Sequence, residues 1–268
     1  MLLRFRLLVV FLFLALTLVS AQDFPYHFSP VREISYFAVG GALSLTAHRI
    51  DAQLRPPTRS DIAQLSISSV SDFDRGAIRN SSADYAALSN QLLRAGVVAA
   101  PLALVAQRPA RKRMLGIGLM LGQALLLNDG LTKTTKVAVR RSRPLLYNDD
   151  YDLSYKTRVD ARLSFFSGHT SAAATLSFFS AKVFHDLHPD SRLRPYVWVA
   201  AGLLPAATGF ARYRAGKHFP TDILVGYAVG AGIGILVPQL HKRKTRRMRI
   251  NPLVGSGSVG FNLVLGLE

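Results

Sequence analysis

Lys136-Val-Ala-Val-Arg-Arg-Ser-Arg143-Pro144, Phe166-Ser-Gly-His169 and Arg212-Tyr-Arg-Ala-Gly-Lys-His218-Phe-Pro-Thr-Asp222 are three polar stretches, each at the edge of an apolar run. The first sets a lysine and an arginine seven positions apart and closes with proline. In the second, Ser167-Gly168 forms a small-residue turn ahead of an apolar helix, with Ser167 as its expected N-cap, so backbone N–H groups and the positive helix end point at an anion. In the third, Pro220 suits a first helical turn, which puts His218 just before that helix begins. Asp222, four residues on, is placed to reach the imidazole and fix its tautomer.

Together these stretches offer three cations, two histidines, one carboxylate and two helix N-termini. A phosphoryl group in transfer carries charge on its equatorial oxygens, which fixed cations stabilise. One lysine as a point charge and two arginines as planar forks make a suitable clamp.

Lys-x6-Arg-Pro, then Ser-Gly-His, then Arg-x5-His-x3-Asp, in this order, resembles the type-2 phosphatidic acid phosphatase superfamily, which also includes bacterial non-specific acid phosphatases and vanadium haloperoxidases. The resemblance covers Leu115 to Val237. It implies that His218 is a nucleophile forming a phosphohistidine and that Asp222 orients it. His169 would protonate the leaving oxygen and later activate water. Lys136, Arg143, Arg212, Ser167 and the Gly168 N–H would hold the phosphate. No metal or cofactor is expected, and the chain has no HExxH, no Asp-rich calcium loop and no cysteine.

Composition agrees with a membrane setting. Hydrophobic residues make up 49% of the 268 and charged residues 18%, and the mean hydropathy is +0.21. A net charge of +17 on a soluble chain would point to nucleic acid. Here the basic residues gather at the ends of apolar segments, where membrane topology and anionic headgroups explain them better, and no nucleic-acid motif is present.

The expected fold is all-α, a membrane-embedded bundle of about six helices with a short β-hairpin at the C-terminus. Residues 1–21 read as a signal peptide or signal anchor: Arg4 and Arg6, an apolar run, then small residues. Residues 22–90 hold a short apolar helix, Ile34–Ala47, then a polar loop with surface helices. At about 14 residues that helix falls short of the ~20 needed to span. Residues 91–240 form the helical core, and 241–268 a basic stretch and tail. Basic stretches at Arg108–Arg113, Arg192–Arg194 and Lys242–Arg249 are expected on the cytoplasmic side, which puts the three polar stretches on the periplasmic side of a bacterial-type inner membrane. The loop Leu145–Leu163, with Tyr147, Tyr151 and Tyr155, is read as a lid, a headgroup selector or a plain connection. Arg140, Arg141, Arg214 and Lys217 are read as solvent or headgroup contacts, and Lys133 as out of register.

The leading expectation is a membrane phosphatase acting on a lipid phosphomonoester or pyrophosphate: phosphatidate, phosphatidylglycerol phosphate, undecaprenyl pyrophosphate or a lipid A phosphate. The alternatives are a vanadate-dependent haloperoxidase using the same pocket, a soluble periplasmic acid phosphatase, and a non-catalytic lipid-binding or transport protein.

Overall fold

Proline opens three of the six long helices, at Pro30, Pro195 and Pro220, where a missing N–H costs nothing. The structure, a computed structural model, describes residues 24–106, 108–243, 248–255 and 258–265. Among these, six helices have 20 residues or more: α1 Pro30–Asp51, α2 Ala83–Val105, α3 Met114–Val139, α4 Gly168–Leu187, α5 Arg194–Arg214 and α6 Pro220–His241. Residues 1–21, read above as a signal, lie outside the described residues.

Among the described residues three stretches are long and apolar enough to cross a membrane: Ala83–Leu104, Met114–Tyr147 and Pro220–His241. The chain is thus a membrane protein with three candidate spans among the described residues. Beyond α6, strands β1 Met248–Gly255 and β2 Ser258–Leu265 pair antiparallel, with Met248 opposite Leu265 and Gly255 opposite Ser258.

The bundle has a dry end and a polar end. Leu104, Ile117, Met120, Phe179, Val183 and Val237 form the main apolar core together with Phe24 and Tyr26. At the other end gather the C-termini of α3 and α5 and the N-termini of α4 and α6, and the three polar stretches meet there. The segment between α1 and α2, with short helical turns at Arg59–Ala63, Ile67–Ser69, Asp72–Arg75 and Gly76–Arg79, caps this end. Its Val70, Ala77 and Ile78 pack on Phe219.

Helix α1 is longer than the expected short apolar helix, Ile34–Ala47. It has 22 residues, about 33 Å at 1.5 Å per residue, and runs parallel to α3. Glu33 meets Gln123 at 2.7 Å and Asp51 meets Lys133 at 2.8 Å. The helix outgrows its apolar run because its polar ends have partners: buried Glu33 also accepts from His241 of α6 at 2.7 Å. Phe24–Phe28 therefore lie at the end opposite the polar stretches.

Helices α4 and α6 approach backbone to backbone. A Cβ on Gly226 would stand 2.6 Å from the Ser167 carbonyl oxygen, on Gly230 2.1 Å from that of Ser171, and on Gly234 2.7 Å from that of Thr175. Three glycines at a spacing of four thus make a seam that small residues alone permit. Thr175 Oγ1 donates across it to the Gly230 carbonyl at 3.2 Å.

Candidate active site

The seam brings the two helix starts together, and with them the two histidines. Helix α4 begins at Gly168 behind Ser167, whose N–H donates to the Asp222 carbonyl at 2.9 Å. Ser167 occupies the N-cap position but its hydroxyl caps no N–H. It is buried and pairs with Thr170 Oγ1 at 2.9 Å, so the expected side-chain cap is absent. His169 follows in the first turn, its Nε2 2.9 Å from Asn90 Oδ1 of α2. His218 is almost fully buried just before α6. The turn leading to it needs Gly216, whose φ is +60°, where any Cβ would strike the Asn80 carbonyl.

The three cations converge on this place. Lys136 is buried, and its ammonium donates to the Leu163 carbonyl and, at 3.5 Å, to that of Ser164. Arg143 is held by the Asp160 carbonyl at 2.7 Å and the Lys217 carbonyl at 3.2 Å, with Nη1 3.5 Å from His218 Nε2. Arg212 reaches Ser89 Oγ at 3.4 Å, and its buried Nε has no partner among the described residues. Burial first, then the charges of Arg143, Lys136 and Arg212, holds the His218 pKa well below the ordinary histidine range. The ring is therefore neutral, with Nε2 toward the cations and available as a nucleophile. Lys133 is elsewhere, paired with Asp51.

Asp222 sits behind His218, but the expected contact is long. Its Oδ2 is 3.7 Å from His218 Nδ1, about 0.8 Å beyond a good hydrogen bond, and that nitrogen has no partner among the described residues. The carboxylate is already occupied by other donors. Oδ2 accepts from Ser164 Oγ at 2.5 Å and from the Phe219 N–H at 3.0 Å, while Oδ1 receives Arg141 at 2.6 Å. Asp222 is thus also the residue that closes the N-terminus of α6.

Arg141, read above as a solvent or headgroup contact, is a strut. One guanidinium nitrogen bonds Asp222 and Thr221 Oγ1, the other Asp74 Oδ2 at 2.7 Å, and the plane lies 4.4 Å from the Phe219 ring centroid. Asp74 in turn takes the Thr221 N–H at 3.0 Å and its hydroxyl at 2.7 Å. Burial works to raise the Asp74 pKa, but the Thr221 donors and Arg141 outweigh it and keep the carboxyl below its usual range. Lys217 is likewise not a free surface charge. Its ammonium lies 4.9 Å and 5.1 Å from the ring centroids of Tyr151 and Tyr155, and burial, with Arg143 and Arg212 nearby, pushes its pKa down to about 8. The loop 145–163 therefore closes over this edge, and Tyr151 donates to the Ala215 carbonyl. Asp74, Asn90, Arg141 and Ser164 had no local signal in the sequence, since their partners lie 58 to 147 residues away.

Residues 114–246 match the family described as the PAP2 superfamily. One relative, a lipid A 4'-phosphatase of Porphyromonas gingivalis, is 26% identical over 137 residues, 50% of this chain and 55% of that protein. The chain thus spans about half the length of that relative. A solved structure, a transmembrane PAP2 type phosphatidylglycerolphosphate phosphatase from Bacillus subtilis, is similar at 23% identity and a TM-score of 0.44, over 78% of this chain and 94% of that chain.

Proposed function

This chain belongs to the PAP2 superfamily, and we propose that it hydrolyses the phosphomonoester or pyrophosphate of a membrane lipid through a phosphohistidine on His218. The observation that supports this most is the neutral, buried His218, with Nε2 3.5 Å from Arg143 and the charges of Lys136 and Arg212 acting on the same ring. A substrate phosphate among these cations places phosphorus in front of Nε2. Attack forms the N–P bond as the bond to the leaving oxygen breaks. Burial and the charges of Arg212, Arg143 and Lys136 push the His169 pKa down to about 3; a phosphate anion among those cations offsets their charge, so His169, steadied by Asn90, takes up a proton as substrate binds and gives it to that oxygen. Water then attacks phosphorus, His169 takes the proton, and phosphate leaves with His218 restored. Asp222, anchored by Arg141, stands 3.7 Å behind Nδ1, placed to take up that N–H as positive charge develops on the imidazole.

The Porphyromonas gingivalis relative adds weight to a lipid A phosphate, beside phosphatidate, phosphatidylglycerol phosphate and undecaprenyl pyrophosphate. Arg113 at the dry end, stacked 5.8 Å from the Phe24 ring centroid, and Lys242, bonded to Asp186, support a cytoplasmic dry end and a periplasmic site in a bacterial-type inner membrane. The test is purified protein in detergent, given the four lipids and an aryl phosphate. Inorganic phosphate should be released in EDTA, since three side-chain cations supply the charge. Rapid quenching should trap an acid-labile phosphoenzyme that His218→Ala lacks. Turnover with no trappable phosphohistidine would overturn the mechanism.

A further inference from the structure

Helices α1 and α3 leave a second set of cavities on the far side of the loop that holds the cations. The lower one, about 370 Å³, runs along the seam between the two helices and is walled by Val39, Ala42, Leu43, Thr46 and Val137. The upper one, about 540 Å³, lies at the polar end and is lined by Arg55, Arg140 and Arg162 with Ser142 and Gln53. Ile50 lines both, so the apolar groove and the basic cavity adjoin at that side chain.

The upper cavity is rich in donors. Arg55 makes no hydrogen bond or ion pair among the described residues. Arg140 ends α3 in a left-handed conformation, φ 49°, with only its Nε engaged, on the Val137 carbonyl at 3.0 Å. Arg162 has a distant carboxylate, Asp61, at 3.9 Å. That carboxylate is itself drawn into a helix cap by the Thr58 N–H at 2.8 Å. Arg55 and Arg162 thus act on one shared acid, Asp61, and Arg140 lines the same cavity, next to an apolar groove that follows α1 for about 17 Å from Val39 to Ile50 at 1.5 Å per residue.

We propose that this seam binds an anionic phospholipid, an acyl chain lying along α1 from Val39 to Ile50 and the charged headgroup among Arg55, Arg140 and Arg162. The groove alone would take any acyl chain, and the cavity alone any small anion. Their junction at Ile50 selects a molecule carrying both, as basic pockets beside membrane helices do. The site is separate from the catalytic pocket. Leu163 lines this cavity, while its carbonyl holds Lys136 on the other side.

The full chain in neutral detergent, examined by native mass spectrometry, tests this with three probes: phosphatidylglycerol, phosphatidylcholine with the same chains, and glycerol phosphate. One phosphatidylglycerol should be retained where the other two are lost. Arg55→Gln with Arg162→Gln should weaken that binding ~30-fold, at about a factor of five per lost cation. Ala42→Trp, on the exposed side of α1, should weaken it by blocking the groove. Equal retention of phosphatidylcholine would show that the arginines select nothing, and competition by glycerol phosphate would show a free-anion site instead. Undiminished phosphatidylglycerol binding by either variant would place the lipid elsewhere. Each of these three results overturns the proposal.

Discussion

Replacing Arg141 with glutamine should damage folding and turnover together while sparing substrate binding. Its guanidinium bridges two carboxylates, Asp74 and Asp222, that are 1% and 0% exposed. Removing one member of a buried charged pair costs about 3–5 kcal/mol, because the partner charge is left without compensation. Arg141 itself is 27% exposed, so water reaches part of the gap and the lower end, about 3 kcal/mol, applies. Asp222 keeps its bonds from Ser164 and Phe219, so the carboxylate persists but loses its anchor behind His218. We expect kcat to fall ~10-fold or more, well short of the ~10,000-fold seen when an orienting acid is neutralised outright. KM should stay within about twofold, since Arg141 faces Asp222 rather than the phosphate. Arg141→Lys should recover only part, because a point charge cannot span both acids. Adding Asp74→Asn to Arg141→Gln should restore stability more than rate, by removing a stranded charge. Unfolding midpoints in detergent and steady-state kinetics on one lipid phosphate measure all four proteins. An unchanged midpoint, or a rise in KM at constant kcat, would refute the strut and make Arg141 a headgroup contact.

His218→Ala should abolish turnover and phosphoenzyme. His169→Ala should cost ~100- to 10,000-fold on an alkyl phosphate and much less on an aryl phosphate, whose leaving group needs no proton. Phosphoenzyme that still accumulates in His218→Ala would reverse the two roles. With its pKa near 8, Lys217 carries its charge below that pH and loses it above, so kcat/KM for an anionic substrate should fall as pH rises through about 8. Lys217→Gln should flatten that limb, and a limb that survives the substitution belongs to another group. Because the unfolded lysine keeps its proton to about 10.4, folding stability should rise, not fall, between those two values. Gly230→Ala should cost 1–3 kcal/mol or more by overpacking, whereas Gly232→Ala, with nothing within 4 Å of its Cβ, should be neutral or slightly stabilising. Equal midpoints for the two would deny the seam its closeness.

The helical character of the core was legible because each apolar run is bounded by proline, by small residues or by charge. Lys136 was separable from Lys133 by register alone, and the structure gives Lys133 a different partner, Asp51. The length of α1 was not legible. Hydropathy counts Glu33 and Asp51 against a membrane helix, and the His241 and Lys133 that answer them are 208 and 82 residues away. The shell around Asp222 was hidden for the same reason. Sequence spacing placed Asp222 one turn from His218, but it does not say that Ser164, Arg141 and a helix N-terminus compete for the same oxygens.

The glycine seam between α4 and α6 also bears on how a substrate gets in. Ser167-Gly168-His169 and His218 ride on two rods whose main chains come together at Gly226, Gly230 and Gly234, where a single added Cβ would collide with a carbonyl. Contacts of this kind cannot be widened by a change of rotamer, because they are made by backbone. A lipid therefore does not part these helices to enter. Adjustment to a headgroup is expected instead at the loop edge, where Tyr151 and Tyr155 flank Lys217. Variation that retunes which headgroup is admitted can accumulate there while the distance between the histidines stays fixed.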